Sequence, residues 1–202
     1  MEASRHDSRH CWPSTYACLG HSSWCSGAYE LRPVRYHDRE PIRAWRNAQI
    51  DVLRQSQPLS EKTQDAYFAE IVRPQFDQSN PDQVLFTLWL EAHLIGYGGL
   101  VHIDWWHRRA EVSFLVAPVR LARRTYEEDF LSFLGLIAEV ARDDLGFHRL
   151  TGETFPERVE HVRIFESFGF VREGRLLEHR RITGGFGDSL VHGLILETGE
   201  TS

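Results

Sequence analysis

Along this chain the spacing of apolar positions changes several times, and each change marks an element. Residues 84–90 (VLFTLWL) and 94–103 (LIGYGGLVHI) are dense in β-branched, aromatic and aliphatic side chains, with only Glu91, Ala92 and His93 between them. Two such runs with so short a gap predict a hairpin. A turn at Asp104-Trp105-Trp106-His107 leads to 110–116 (AEVSFLV), apolar on both faces as a central strand is. The period then lengthens. Behind Thr125, which reads as an N-cap, Phe130, Phe133, Leu134, Ile137 and Ala141 recur at helical spacing toward Gly146. Residues 147–155 predict a strand. Pro156 opens a helix whose inward positions are Val159, Val162, Phe165 and Phe168, and Gly169 ends it as a left-handed cap. Strands over 175–182 and 188–196, joined through Thr-Gly-Gly-Phe-Gly, form a last hairpin.

Upstream, 29–34 alternates as a short strand, and 37–49 reads as a helix with Pro41 in its first turn. A second helix over 60–72 has Ser60 as its cap, Tyr67, Phe68 and Ile71 as its inward stripe, and Pro74 as its stop. Residues 79–82 form a turn. Residues 1–28 show no period and are rich in Ser, His, Cys and Gly. They are expected to be a flexible extension ahead of a single domain at 29–197, with a disordered tail at 198–202. The three cysteines, Cys11, Cys18 and Cys25, all lie in that extension, with His10 and His21 nearby. Their spacing is not that of zinc ligands, so no metal is expected.

The formal charge of −6 over 202 residues argues against nucleic-acid binding by bulk charge. No apolar run approaches the roughly 18–20 residues of a membrane span, and the chain starts without the apolar stretch of a secretory signal. A cytoplasmic protein with no membrane partner is the expectation.

The order β α α β β β α β α β β, together with RRAEVSFLVAPVR (108–120) and HVRIFESFGF (161–170), resembles the Gcn5-related N-acetyltransferase (GNAT) superfamily. The resemblance implies an α/β (α+β) fold: a mixed sheet of about seven strands, splayed between the fourth and fifth, with about four helices. It implies acetyl-CoA as co-substrate and a small-molecule amine as acceptor, attacked directly in a ternary complex. On that reading Phe114, Leu115 and Val116 hold the pantetheine arm by backbone contacts. Arg120, Arg123, Arg124 and Thr125 occupy the pyrophosphate loop, where Arg123 replaces the family's glycine. Glu127, Glu128 and Asp129 follow closely and would repel an anion. Glu111 stands where many members carry a catalytic or water-holding glutamate.

The tyrosine that usually protonates the thiolate is replaced by Phe165, which has no proton to donate. Tyr126 and His161 are substitutes, or solvent serves. Arg158 stands where the family often has an asparagine. His102, Asp104, Trp105, Glu153, Asp188 and His192 are candidates for the acceptor pocket, although lone histidines such as His148 and His192 are more often structural. HIDW (102–105), ETF (153–155) and the closing Asp188 with HGLI are similar to members from polysaccharide and sugar-nucleotide contexts. An amino sugar, free or nucleotide-linked, is therefore the favoured acceptor. The alternatives are a protein N-terminus as acceptor, a different acyl donor, or a GNAT-like module that has lost catalysis. A homodimer through the last hairpin is conceivable.

Overall fold

A computed structural model describes residues 12–53 and 55–197. Eight strands form one sheet: β1 (Trp24–Ser26), β2 (Tyr29–Pro33), β3 (Val84–Leu90), β4 (His93–Asp104), β5 (Arg109–Val116), β6 (Arg149–Thr154), β7 (Val171–Ile182) and β8 (Gly185–Ile195). Their order across the sheet is β1-β2-β3-β4-β5-β6-β8-β7. All neighbours are antiparallel except β5 and β6, as a mixed GNAT sheet requires. The helices are α1 (Arg39–Ala48), α2 (Glu61–Ala66), α3 (Arg73–Gln75), α4 (Arg123–Glu139) and α5 (Val159–Phe168). Helix α2 runs into α3 through a π-helical stretch, Tyr67–Val72. Pro74 therefore does not stop this run at Val72; the helix continues to Gln75, with the π-helical stretch lying just ahead of the proline, where a helix must adjust to its ring and missing N–H. No helix among the described residues is long and apolar enough to cross a membrane.

The eighth strand comes from the segment expected to be a flexible extension. Trp24 of β1 pairs in register with Leu31 of β2, and its indole donates to Asp144 at 2.9 Å. Tyr16 is fully buried and stacks on Phe76 with ring centroids 3.8 Å apart. Its hydroxyl accepts from the Leu85 N–H at 3.0 Å and lies 3.3 Å from the Leu85 carbonyl, serving β3 just past the point where β2 stops at Pro33. The folded body thus begins well before residue 29. Cys11 and the tail at 198–202 lie outside the described residues.

The central meander follows the sequence pattern closely. Glu91 and Ala92 form the β3–β4 turn, both with positive φ (48° and 68°). Gly98 and Gly99 lie where β4 runs tight against its neighbours. A Cβ on Gly98 would land on the Ser113 carbonyl, and one on Gly99 on the Val84 carbonyl. Helix α4 presses Phe130, Phe133, Leu134 and Ile137 into the core, with Phe133 stacked on Phe114 at 4.2 Å. Gly169 closes α5 with φ 116°. Two positions expected to point inward do not: Ile71 is 50% exposed and Val159 70%. Each lines a surface cleft instead of the core.

A cleft at the splay between β5 and β6

β5 and β6 pair over only three positions, Arg109 with Arg149, Ala110 with Leu150 and Glu111 with Thr151. Beyond Glu111 the strands part, while β5 stays paired to β4 as far as Val116 and β6 to β8 as far as Thr154. The opening is therefore bordered by one backbone edge of β5. Alternation along a strand decides which groups face it. The Ala117 N–H goes to Ile95, on the β4 side, and on the β6 side the Arg108 carbonyl accepts from the Arg149 N–H and the Ala110 carbonyl from the Thr151 hydroxyl. Val112, Phe114 and Val116 thus turn their backbone groups to the gap, and Leu115 turns its own to β4. Of the residues expected to contact pantetheine, Phe114 and Val116 border the gap and Leu115 does not, while Val112, which sequence reasoning missed, borders it too. The Val116 carbonyl already accepts from the buried Gln49 amide at 2.8 Å.

Two cavities meet at this gap. One, of about 320 Å³, is lined by Glu111, Val112, Phe114, His102, Glu153, Thr154 and Arg158, among others. The second, of about 600 Å³, lies toward the start of α4 and includes Leu121, Tyr126 and Val159. Val52, Arg158 and His161 line both. The Thr154 hydroxyl is buried with no hydrogen-bond partner among the described residues, and Thr154 lines the first cavity. A buried hydroxyl without a partner and an unpaired strand edge both call for a polar ligand, and the amide-bearing arm of a CoA thioester meets that need.

The start of α4 differs from expectation. Its first residue is Arg123, its N-cap is Ala122, and no side chain caps it. Thr125 lies inside the first turn, and its hydroxyl donates back to the Ala122 carbonyl at 2.9 Å and lies 3.2 Å from that of Arg120. The first N–H groups of a 17-residue helix are thus left to an anion. Arg123 has no positive φ, so the backbone here does not require the glycine that the family pattern carries. The side chain of Arg123 is outside what the structure describes.

Arg120 does not face the cavities as a free cation. It binds the fully buried Asp129 through two nitrogens, at 2.7 and 2.8 Å, and the Tyr29 hydroxyl donates to the same carboxylate at 2.9 Å. Burial first, and then Asp129, push the Tyr29 phenol up to about 12. Arg124 pairs with Glu128, and Arg163 with Glu127. The three acids expected to repel phosphate are therefore each matched by a guanidinium. Among the described residues, Arg120 is committed to Asp129, whereas the helix terminus and the exposed Arg124 stay open to an anion.

The acceptor candidates divide. His102 and Glu153 line the first cavity with Glu111. His102 sits on a β-bulge, where the β4–β5 register shifts between Val101 and Asp104, and has φ 50°. Positive φ in a non-glycine residue is held by its surroundings and concentrates at functional sites. Asp104, Trp105 and Asp188 lie elsewhere. Asp104 accepts from the His107 backbone N–H at 2.9 Å and binds the His107 ring and Arg109. These contacts, the backbone one first, hold it down to about 2. Trp105 donates to the Pro81 carbonyl and packs edge-on against Phe147. Asp188 ties the β7–β8 hairpin by accepting from Arg175 and from the Glu178 N–H. His192 is buried beside Phe165. Turn-forming carboxylates and cavity-lining ones look alike in sequence, so residue type alone does not separate them.

A third cleft, of about 820 Å³, adjoins Glu153 and takes in Asp51, Phe155, His179, Arg180 and Arg181. Sequence reasoning missed this wall, because it is assembled from the α1–α2 connection and one end of β7. Arg180 lies over the Phe155 ring at 3.9 Å and pairs with Glu157. Among the described residues no group of three or more His, Cys, Asp or Glu side chains is arranged to hold a metal.

Comparison with known proteins agrees with this geometry. The acetyltransferase (GNAT) domain model matches residues 31–191. A spermidine N(1)-acetyltransferase of Vibrio cholerae is 30% identical over 101 residues, 48% of this chain and 54% of that protein, so the match spans about half of the relative. The structure of the Vibrio cholerae spermidine N-acetyltransferase with CoA and spermine superposes with a TM-score of 0.75 at 19% identity, covering 86% of this chain and 98% of that one. A dodecameric form of that enzyme gives 0.68 at 21% identity, covering 85% and 95%. These relatives lend no support to the likeness with sugar-nucleotide members, and Asp104, Trp105 and Asp188, which carried part of it, lie away from the cavities. With a splayed sheet, an uncapped helix start beside it and a family match over nearly the whole folded body, the chain belongs to the GNAT acetyltransferase family, enzymes that take an acetyl group from acetyl-CoA and pass it to an amine.

Proposed function

We propose that this chain acetylates a primary amine of a small molecule by direct attack on acetyl-CoA, with Glu111 as the base. The observation that carries the proposal is the position of Glu111 at the last paired step of β5 and β6, where the sheet opens into the cavity that it lines. A base there takes the amine proton directly or through a water. On this reading the N–H groups of Val112 and Phe114, on the gap side, hold the pantetheine arm and steady a developing oxyanion. The start of α4 holds the pyrophosphate.

For the acceptor, the cleft beyond Glu153 carries two carboxylates, Asp51 and Glu153, and the exposed guanidinium of Arg181, beside an Arg180 already paired with Glu157. That mixture suits an amine that also bears an anionic group, such as a nucleotide-linked amino sugar, better than a bare polycation such as the spermidine of the named relatives. A cytoplasmic location belongs to the same reading. So does pairing of two copies through the sheet edge at β7, which with its hairpin partner exposes Leu177 and Phe186.

Calorimetric titration with acetyl-CoA, followed by mass spectrometry of products from a panel of amines, tests the proposal. Absence of binding at millimolar acetyl-CoA would leave the chain as a family member without catalysis. Glu111→Gln is expected to lower kcat by about a hundredfold while leaving acetyl-CoA affinity intact. Full turnover in that variant excludes Glu111 as the base.

A further inference from the structure

Loss of the family's tyrosine leaves the thiolate without its usual proton donor, and Phe165 has been absorbed into the core. Its ring is 2% exposed and fills the space that a side chain on Gly152 of β6 would need. One turn earlier on the same face of α5 stands His161, since residues four apart on a helix are neighbours. His161 is 6% exposed, stacks on Phe130 at 4.4 Å, and lines both cavities where they meet. Its Nδ1 lies 2.5 Å from the Tyr126 hydroxyl, and Arg158 donates to the same hydroxyl at 3.2 Å.

We infer that His161, backed by Tyr126 and Arg158, is the proton donor to the departing thiolate. The inference rests on the acetyl-transfer reading above. The hydrogen bonds set the direction of the relay. Arg158 can only donate, so the Tyr126 hydroxyl receives from it and keeps its own proton to give; the relay takes the tautomer in which that proton points at His161. His161 Nδ1 is the acceptor within reach. The one proton of the neutral imidazole is then on Nε2.

Burial holds His161 far below the usual histidine range, and Arg158 and His192 add to the effect, so the ring is neutral at physiological pH. Burial raises the Tyr126 phenol, and Arg158 works against that rise. The other charged groups facing this cluster are Glu160 on α5 and, across the cavities, Glu111, Glu153, Arg46, Asp51 and Glu157.

As the carbon–sulfur bond breaks, its electron pair stays on sulfur, and His161 gives its Nε2 proton to that sulfur. Tyr126 passes its hydroxyl proton to Nδ1, and Arg158 steadies the phenolate left behind. The proton shed by the acceptor nitrogen returns through Glu111 and solvent to His161 Nε2 while Nδ1 hands its proton back to Tyr126, so the starting tautomer is restored and amine and thioester yield amide and thiol with no net proton change. His161 is the catalytic group; Tyr126 and Arg158 are positioning residues.

The test compares wild type, Tyr126→Phe and His161→Ala. Thiol release from acetyl-CoA is followed with spermidine and glucosamine as acceptors, and acetyl-CoA affinity is measured by calorimetry. Tyr126→Phe removes one oxygen and keeps the ring that stacks on Phe130 at 5.8 Å, so its fold is secure. Its kcat is expected to fall about tenfold with acetyl-CoA affinity unchanged, and that of His161→Ala about a hundredfold. Added imidazole is expected to restore activity to His161→Ala, which a purely structural role would not allow. Turnover by Tyr126→Phe within twofold of wild type, or a failure of imidazole to rescue a folded His161→Ala, overturns the relay. A wild-type protein that neither binds nor turns over acetyl-CoA overturns the acetyl-transfer reading itself.

Discussion

Replacing Arg120 with alanine separates two roles that a sequence alone cannot distinguish. As a phosphate ligand, Arg120 would be dispensable for folding and needed for acetyl-CoA. The structure instead places it on Asp129, whose side chain is 0% exposed, whereas Arg120 retains 23% exposure. Removing the arginine leaves a buried carboxylate whose side-chain partner among the described residues is the Tyr29 hydroxyl. Loss of one member of a buried pair destabilises by about 3–5 kcal/mol, because the remaining charge is no longer compensated. The partial exposure of Arg120 argues for the lower end, about 3 kcal/mol. For a chain of this size each kcal/mol shifts the melting temperature by roughly 2–4 °C, so Arg120→Ala should melt roughly 6–12 °C lower. Asp129→Asn should be milder, since the freed guanidinium can turn to solvent. Thermal melts and acetyl-CoA titrations on both variants decide the matter. An Arg120→Ala protein with an unshifted melt and an affinity reduced more than tenfold would refute the structural role and restore the phosphate one.

Tyr16→Phe should cost about 1–3 kcal/mol, because it strips the Leu85 N–H of a buried partner. A chain started at residue 29 should lose cooperative melting, since burial of Tyr16, Leu19 and Trp24 goes with it. Gly98→Ala should destabilise by about 2–3 kcal/mol, as its Cβ would crowd the Ser113 carbonyl and sit 2.8 Å from Phe133; an unchanged melt would show that β4 can shift. Asp104, held down to about 2, contributes stability that is complete above its unfolded value of about 3.9 and lost as pH falls through the folded one. The melting gap between wild type and Asp104→Asn should therefore be constant near neutrality and close between about pH 4 and 2. A gap that persists in stronger acid would mean that the Asp104 charge is not its source.

Regular elements were legible in the sequence because their periodicity is local. The β3–β4–β5 meander, the Ser60 cap, whose oxygen accepts from the Thr63 N–H at 3.0 Å, and the left-handed Gly169 all lie where the pattern puts them. The splay followed from the family resemblance. What stayed hidden depends on pairings distant in sequence. Residues 12–26 are anchored by single aromatic side chains in irregular chain, which leaves no period to read. Arg120 was matched to phosphate because nothing local reveals that Tyr29, about 100 residues upstream of Asp129, shares its partner. Val159 and Ile71 fit an apolar stripe yet border clefts, since the pattern records hydrophobicity and not what covers it. Of the site, Glu111, His102 and Glu153 come together as expected from the strands that carry them, whereas Asp51, Arg180 and Arg181 arrive from separate elements.

The turn between β3 and β4 has its own consequence for how the chain folds. Glu91 and Ala92 each hold a left-handed conformation that ordinary side chains disfavour by about 1–2 kcal/mol. Such a corner is costly for these side chains; it is supported by the strands on either side and by the Glu91 N–H, which donates to the Ala28 carbonyl. Glycine at position 92 would relieve the burden. It would ease the bend that carries the chain from β3 into β4, the strand on which β5 is paired.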